Sequence, residues 1–289
     1  MSKELTVKSL FTQNDIQKRF EDLLGKKAQG FITSVLQIVS NSGYLSKADP
    51  LTVLNAAATA ATLDLPINQN LGFAWIVPYK GQAQFQMGWK GYVQLALRTG
   101  QYARINVTPI HENQFKSWNN LTESLEGDFS LDGEGKIVGY AGYFKLTNGF
   151  EKTVYWSHEK VEKHAKRFSK SYTNGPWKTD FVAMALKTVL KAMISKWGIM
   201  SIQLQTAVVA DQSVQKNAGD YNYIDNDNKD EDGNTIVLIS NADLALQIEE
   251  AKDKTELDKI AEEHKPEIVK NINLIELLGK KRKSFENGQ

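Results

Sequence analysis

The sequence predicts an α+β fold. Helical periodicity fills the N-terminal stretch, glycine-punctuated alternating segments fill the middle, and helical periodicity returns before a polar, acidic run. Helices and strands arranged in blocks favour antiparallel sheets packed on helices over strictly alternating βαβ winding.

Residues 12–65 read as helical, because Ile16, Phe20, Leu23 and Leu24 repeat at helical spacing, as do Phe31, Val35, Ile38 and Val39. Asp49 before Pro50 is an N-cap followed by proline at the first helical position. The run Leu51 to Leu65 is rich in alanine, a strong helix former. After Pro66, Leu71–Tyr79 and Ala83–Met87 read as two strands around the turn Lys80-Gly81-Gln82. Residues 90–99 read as a helix stopped by Gly100. Strands are expected over 101–112, 136–147 and 150–156, punctuated by Gly133, Gly135 and Gly149, and helices over 157–168 and 178–197. Residues 211–240, containing the run Asp225 to Gly233, are too polar to pack a core and read as a linker. Beyond it, 241–289 reads as a small helical domain. Thr255 to Asp258 resembles a capping box, Pro266 can open a last helix and Gly279 can close it. The expected organisation is a core over 1–210, a linker over 211–240 and a helical domain over 241–289.

The chain of 289 residues is 41% hydrophobic and 24% charged, so it can bury a core. It lacks an apolar leader and any run of the roughly 18 to 20 apolar residues a membrane helix needs, which points to the cytoplasm. The absence of cysteine excludes disulfides and thiolate metal sites. Charge is unevenly placed: residues 1–205 carry 24 Lys+Arg against 16 Asp+Glu, whereas 206–289 carry 11 against 18. A basic body with an acidic tail suits a polyanionic partner, and solvated surface charge is the plainer alternative.

Catalytic signatures are missing. The P-loop pattern is absent, as is the Gly-x-Ser-x-Gly elbow. His111, His158, His164 and His264 are scattered and form no His-x-x-x-His pair, so a structural role is expected for each. Asp128 and Asp132 fall in a glycine-rich loop, where a metal nuclease would leave only a weak signature. We expect no catalytic residue, no metal site and no required cofactor, with Mg²⁺ left open as an ion accompanying DNA.

One stretch is basic and aromatic together. Residues 152–196 hold ten Lys+Arg and three acids, interleaved with Tyr155, Trp156, Phe168, Tyr172, Trp177 and Phe181. Single-stranded nucleic acid needs cations along its phosphates and aromatic faces for its unpaired bases. At 100° per residue, Val182, Leu186, Val189, Leu190, Met193 and Trp197 form a core stripe, with Lys187 and Lys191 on the opposite side. In the preceding helix Val161, Ala165 and Phe168 face one way, and Lys160, Lys163, Lys166 and Arg167 the other. Both helices are thus expected to present lysine faces without compensating acids, against the alternative of two ordinary solvated helices. Trp177, after Asn174-Gly175-Pro176, is the expected stacking ring.

Two segments carry a family resemblance. Residues 71–100 contain Val77-Pro78-Tyr79, Gln86-Met87-Gly88-Trp89-Lys90-Gly91 and Arg98-Thr99-Gly100. The second is Trp177-Lys178-Thr179-Asp180-Phe181, followed by Met184-Ala185 and Lys187-Thr188. The chain resembles, over roughly residues 10–205, the RecT family of phage recombination proteins. Lys191 stands where arginine is common in relatives, which puts a bidentate phosphate contact there in doubt. The resemblance implies ATP-independent annealing of single-stranded DNA through a duplex intermediate, on a curved antiparallel sheet packed on helices with a basic groove. It also implies assembly into rings or helical filaments, and contacts of the C-terminal domain with a host single-strand-binding protein or a phage exonuclease. The candidate DNA contacts are Lys80, Lys90, Arg98, Arg104, Lys178, Lys187, Lys191 and Lys196, with Tyr79, Trp89 and Trp177 as candidate stacking rings. The alternatives are a metal-dependent nucleic-acid enzyme and a scaffold that recruits replication proteins.

Overall fold

Aromatic spacing sets the N-terminal packing. The structure is a computed structural model that describes residues 5–68, 70–169, 171–215 and 221–223, and, toward the C-terminus, 244, 248, 251, 253–263, 268 and 272–286. Helices α1 (Val7–Phe11), α2 (Asn14–Leu24) and α3 (Ala28–Ser40) bring Phe11, Phe20 and Phe31 into one stack, with successive centroids 5.6 and 5.8 Å apart. Helix α4 (Pro50–Thr62) starts as expected, with the Asp49 carboxylate accepting from Leu51 N at 3.0 Å and Pro50 in the first turn. Its alanines are buried and lack bulk, so the helix packs closely on the following hairpin. The Thr52 hydroxyl accepts from Ala83 N at 2.9 Å at that contact.

Strands β1 (Ala74–Tyr79) and β2 (Gln82–Met87) pair antiparallel, closing on Tyr79 opposite Gln82. The two turn residues, Lys80 at φ 47° and Gly81 at φ 76°, are both left-handed, the conformation a two-residue hairpin needs to match strand twist. Helix α5 (Trp89–Arg98) follows at once. Gly88 permits that tight passage: a Cβ there would lie 2.1 Å from the Gly72 carbonyl oxygen and 2.6 Å from the Trp75 ring. The helix stops at Gly100, φ 69°.

Strands β3 (Tyr102–His111), β6 (Ile137–Leu146) and β7 (Glu151–Ser157) form an antiparallel sheet in the order β3-β6-β7, with register shifts after Tyr102 and after Ile110. Between β3 and β6, where no strand was expected, the chain forms a hairpin, β4 (Phe115–Asn119) and β5 (Ser124–Gly127). Its strands are short and polar, and Phe115 and Trp118 anchor it on Tyr155 at 5.2 and 5.8 Å. Helix α6 (His158–Phe168), the short α7 (Pro176–Thr179) and α8 (Phe181–Trp197) follow. Helix α8 packs on the sheet through Leu186, Val189, Leu190 and Met193, and the Met193 sulfur would lie 3.1 Å from a Cβ on Gly142. The molecule is α+β, with antiparallel sheets and helices, as expected.

One boundary needs correction. Residues 211–215 do not begin a linker. Helix α9 (Ile202–Ala210) ends in Asp211, and Asp211, Ser213 and Val214 are each 1% exposed. Ser213 bridges Phe85 on β2, and Gln215 O accepts from Asn55 Nδ2 at 3.1 Å. The contacts of this short segment, which composition cannot show, override its polarity. Most of 216–240, including Asp225 to Gly233, lies outside the described residues.

The chain divides into compact units over 1–228 and 229–289. In the second, helices Lys254–Glu263 and Ile272–Glu286 contribute to a small core with Leu244, Ile248, Ala251, Leu257, Ile268 and Leu274. The first of these helices is capped by Asp253, which accepts from Glu256 N at 2.8 Å, and not by Thr255. Gly279 lies inside the last helix and does not close it. Pro266 lies outside the described residues.

Gly88→Ala should lower stability by about 2–3 kcal/mol, since both the Gly72 carbonyl and the Trp75 ring must give way. Urea unfolding followed by circular dichroism checks this.

Candidate nucleic-acid interface

The two signature segments meet at one buried carboxylate. Asp211 Oδ1 accepts from Met87 N at 2.9 Å and from Lys187 Nζ at 2.7 Å. Asp211 Oδ2 accepts from the Tyr92 hydroxyl at 3.0 Å and from Lys191 Nζ at 3.2 Å. The start of α5 and the middle of α8 are thus joined through the residue that ends α9. Burial alone would raise the Asp211 pKa, but the two ammonium groups hold it below the usual carboxylate range. Burial lowers the Lys187 pKa against the pull of Asp211, and burial and Asp211 together raise the Tyr92 hydroxyl well above its ordinary value.

This overturns the expected exposure of Lys187. The residue is 5% exposed and its ammonium is spent on Asp211, so the helix face opposite the aliphatic stripe is interior at that turn. Lys191, one turn later, keeps 29% of its side chain exposed. Two cations share one carboxylate, and the surplus positive charge leaves the interior through Lys191.

Lys191 emerges beside α6. Trp156, His164 and Phe168 form a run of rings there: Trp156 meets His164 edge-on at 5.4 Å, and His164 meets Phe168 at 4.6 Å. Lys160 Nζ lies 4.5 Å from the Trp156 centroid, and the Arg167 guanidinium 5.1 Å from that of Phe168. Burial first, then Lys191, Arg167 and Lys160, push the His164 pKa down to about 4. The ring is therefore neutral at pH 7 and leaves the surrounding charge to the lysines and arginine.

The rest of α6 departs from the expectation of uncompensated lysines. Lys163 pairs with Glu159 at 2.7 Å and Lys166 with Glu162 at 3.0 Å, so one face of the helix is neutralised by i,i+4 pairs. Lys160 carries no such carboxylate among the described residues.

The other predicted residues disperse. Trp177 is 5% exposed and meets Phe181 edge-on at 5.3 Å; it belongs to the core, because α7 folds it inward. Trp197, expected on the core stripe, is 38% exposed, with Lys152 Nζ 3.7 Å and Lys196 Nζ 5.1 Å from its centroid. Lys152 also pairs with Glu123. Arg98 serves α4: its guanidinium donates to the carbonyls of Leu63 at 2.7 Å and Asp64 at 2.8 Å, which α4 leaves without helical partners. Arg104 is exposed on β3, paired in register with Lys145. Lys178 is exposed on α7. Lys80 lies 5.5 Å from the Tyr79 ring, and Lys90 5.9 Å from the partly buried Trp89 ring. Asp211 was missed because it sits in a polar segment, and His164 because it was expected to be structural; Lys160 and Arg167 were expected on a basic helix face, but only the fold aligns them with Lys191.

Among the described residues, no three His, Asp or Glu side chains group closely enough to hold a metal ion. Asp128 is instead engaged with Ser130, whose N and Oγ donate to it at 3.1 and 2.5 Å. No helix among the described residues is long and apolar enough to cross a membrane.

The sequence pattern of the RecT family matches residues 29–230. The chain is 54% identical over 211 residues to the uncharacterized protein YqaK of Bacillus subtilis (strain 168), an alignment covering 73% of this chain and 74% of that protein. It is 26% identical over 202 residues to Protein RecT of Escherichia coli (strain K12), covering 63% and 74% respectively. The region matched by the family pattern includes both signature segments and Asp211.

Two outcomes follow from this arrangement. Lys187→Met should destabilise the protein by about 3 kcal/mol, because it leaves the buried Asp211 with one ammonium, while Lys191→Met should cost less than half as much; urea titrations separate the two. Between pH 6.5 and about 4 the unfolded chain binds a proton at His164 that the fold refuses, so stability falls as pH drops through that window. His164→Gln should remove up to about 3 kcal/mol of that acid-side loss, read as the difference between the two proteins' unfolding free energies at pH 7 and pH 4.5.

Proposed function

The chain belongs to the RecT family, whose membership carries single-strand annealing in recombination, and on that premise we propose that it binds single-stranded DNA and anneals complementary strands without ATP. The observation that carries this reading is the strip of Trp156, Lys160, His164, Arg167, Phe168 and Lys191, in which cations and rings alternate on one surface. Phosphates lie along Lys160, Arg167 and Lys191 and displace counterions. Rings at the same surface order the unpaired bases. In this reading the exposed Lys80, Lys90, Arg104, Lys178 and Lys196, which lie apart from the strip, add positive charge that attracts the strand. Sequence is read by base pairing with the incoming strand and not by the protein, so the protein's work is charge neutralisation and pre-ordering of the first strand.

In this reading several copies act together on one strand, and the assembly holds the paired product. The chain performs no bond-breaking chemistry and needs no cofactor beyond ions that accompany the DNA. The unit over 229–289, with its own small core, contacts a host single-strand-binding protein or a phage exonuclease in the bacterial cytoplasm.

The test is the salt dependence of binding to a labelled single strand. Lys160→Ala combined with Arg167→Ala should weaken binding by roughly tenfold or more for every sequence and flatten the slope of log K against log salt by about 1–2. Lys163→Ala combined with Lys166→Ala, whose charges are already matched on α6, should change both far less. Equal effects of the two pairs would place the strand elsewhere.

A further inference from the structure

The loop after β5 carries two apolar side chains that its own chain leaves about half exposed. Phe129 is 47% and Leu131 45% exposed, and Asp128, Asp132 and Glu134 flank them. The loop is held in shape from beneath. Asn113 Nδ2 donates to the Asp132 carbonyl and Gln114 Nε2 to the Leu131 carbonyl, both at 2.8 Å, and Glu134 N donates to Asn113 Oδ1 at 3.0 Å. An apolar pair on a pre-ordered loop loses little entropy on docking. Between 112 and 134 the chain has six carboxylates and one lysine, which repels a phosphate backbone and excludes DNA as the partner of this loop.

The complementary surface lies on the same chain. A cleft of about 480 Å³ between the end of α2, α3, the segment after α4 and the end of α5 has Leu24, Phe31, Ile67 and Phe73 in its walls and Lys27 and Arg98 at its rim. Asp64, 3.1 Å from Lys27 and 3.8 Å from Arg98, is one carboxylate for two cations, so the rim stays positive. Lys26, next to Lys27, is exposed as well.

We infer that the 128–134 loop of one copy docks in the Lys27–Arg98 cleft of the next, Phe129 and Leu131 entering the apolar walls and the carboxylates meeting the cationic rim. The inference rests on the proposed function only in that several copies share a strand. Loop and cleft are different patches, so the contact is heterologous and repeats head to tail into a ring or a filament. It also gives Arg98, a signature residue that the DNA strip does not use, a second role beside capping α4.

A charge swap tests it on the full-length protein. Asp128→Lys with Asp132→Lys makes the loop basic; Lys26→Glu with Lys27→Glu makes the rim acidic. Each variant alone should need about tenfold more protein than wild type to assemble on a long single strand, read by sedimentation velocity. Their equimolar mixture should restore wild-type assembly, because every loop then faces a cleft of opposite charge. Phe129→Ser with Leu131→Ser, which changes no charge, should also lose assembly. Binding to a strand short enough to hold one copy should be unchanged in all of them; loss of it in wild type would overturn the DNA-binding reading and leave this one standing on assembly alone. Wild-type assembly by either charge variant alone, or a mixture that fails to recover while the variants' thermal unfolding matches wild type, would overturn the inference, as would a wild-type protein that stays monomeric on long strands.

Discussion

A carboxylate with no exposed surface must be matched by donors or it cannot remain charged. Asp211 is matched by four: a backbone N–H, a phenol and two ammonium groups. Those donors come from the end of β2, from α5 and from α8, and Asp211 itself ends α9. The signature segments around Gly88 and around Lys187 are distant in sequence and adjacent in space, where α5 packs on α8 and this one side chain ties them together. Removing a buried charge from such a set costs several kcal/mol, whereas an exposed pair is worth about 1 kcal/mol or less. The hub therefore takes Lys187 out of the surface and shares Lys191 with it.

That sorting turns a charge count into a surface. Of the basic residues between 152 and 196, Lys152, Lys163, Lys166 and Lys187 are matched by Glu123, Glu159, Glu162 and Asp211. Lys191 is shared with the interior and faces outward in part. Lys160 lies over the Trp156 ring, which binds cations weakly and keeps the ammonium available. The result is a strip with surplus positive charge beside neutral rings, the chemistry an unpaired polynucleotide requires. The acidic loop over 128–134, after the β4–β5 hairpin, suits a protein surface instead.

Much of this was legible in the sequence. Asp49-Pro50, Lys80-Gly81 and Gly100 marked a cap, a turn and a stop where the structure has them, because local backbone chemistry decides each of these. The β4–β5 hairpin was not legible, since its strands are anchored by two rings on Tyr155 and not by alternation along their length. The site was half legible. Composition located the basic and aromatic stretch, but a helical projection cannot tell a solvated lysine from one facing a carboxylate that arrives from another element. Lys187 was misplaced for that reason, Trp177 because its loop position hid the short α7 that folds it inward, and Trp197 because it lies at the end of a stripe whose last turn reaches solvent. Long-range partners such as Asp211 leave no local signal.

The most direct measurement follows two complementary fluorescent oligonucleotides as they pair, with and without the protein and with and without ATP, at low and moderate salt. The account predicts faster pairing that ATP does not change, no effect on non-complementary strands, and loss of the acceleration when Lys160 and Arg167 are both replaced by alanine. Tight binding of single strands with no acceleration of pairing would contradict it.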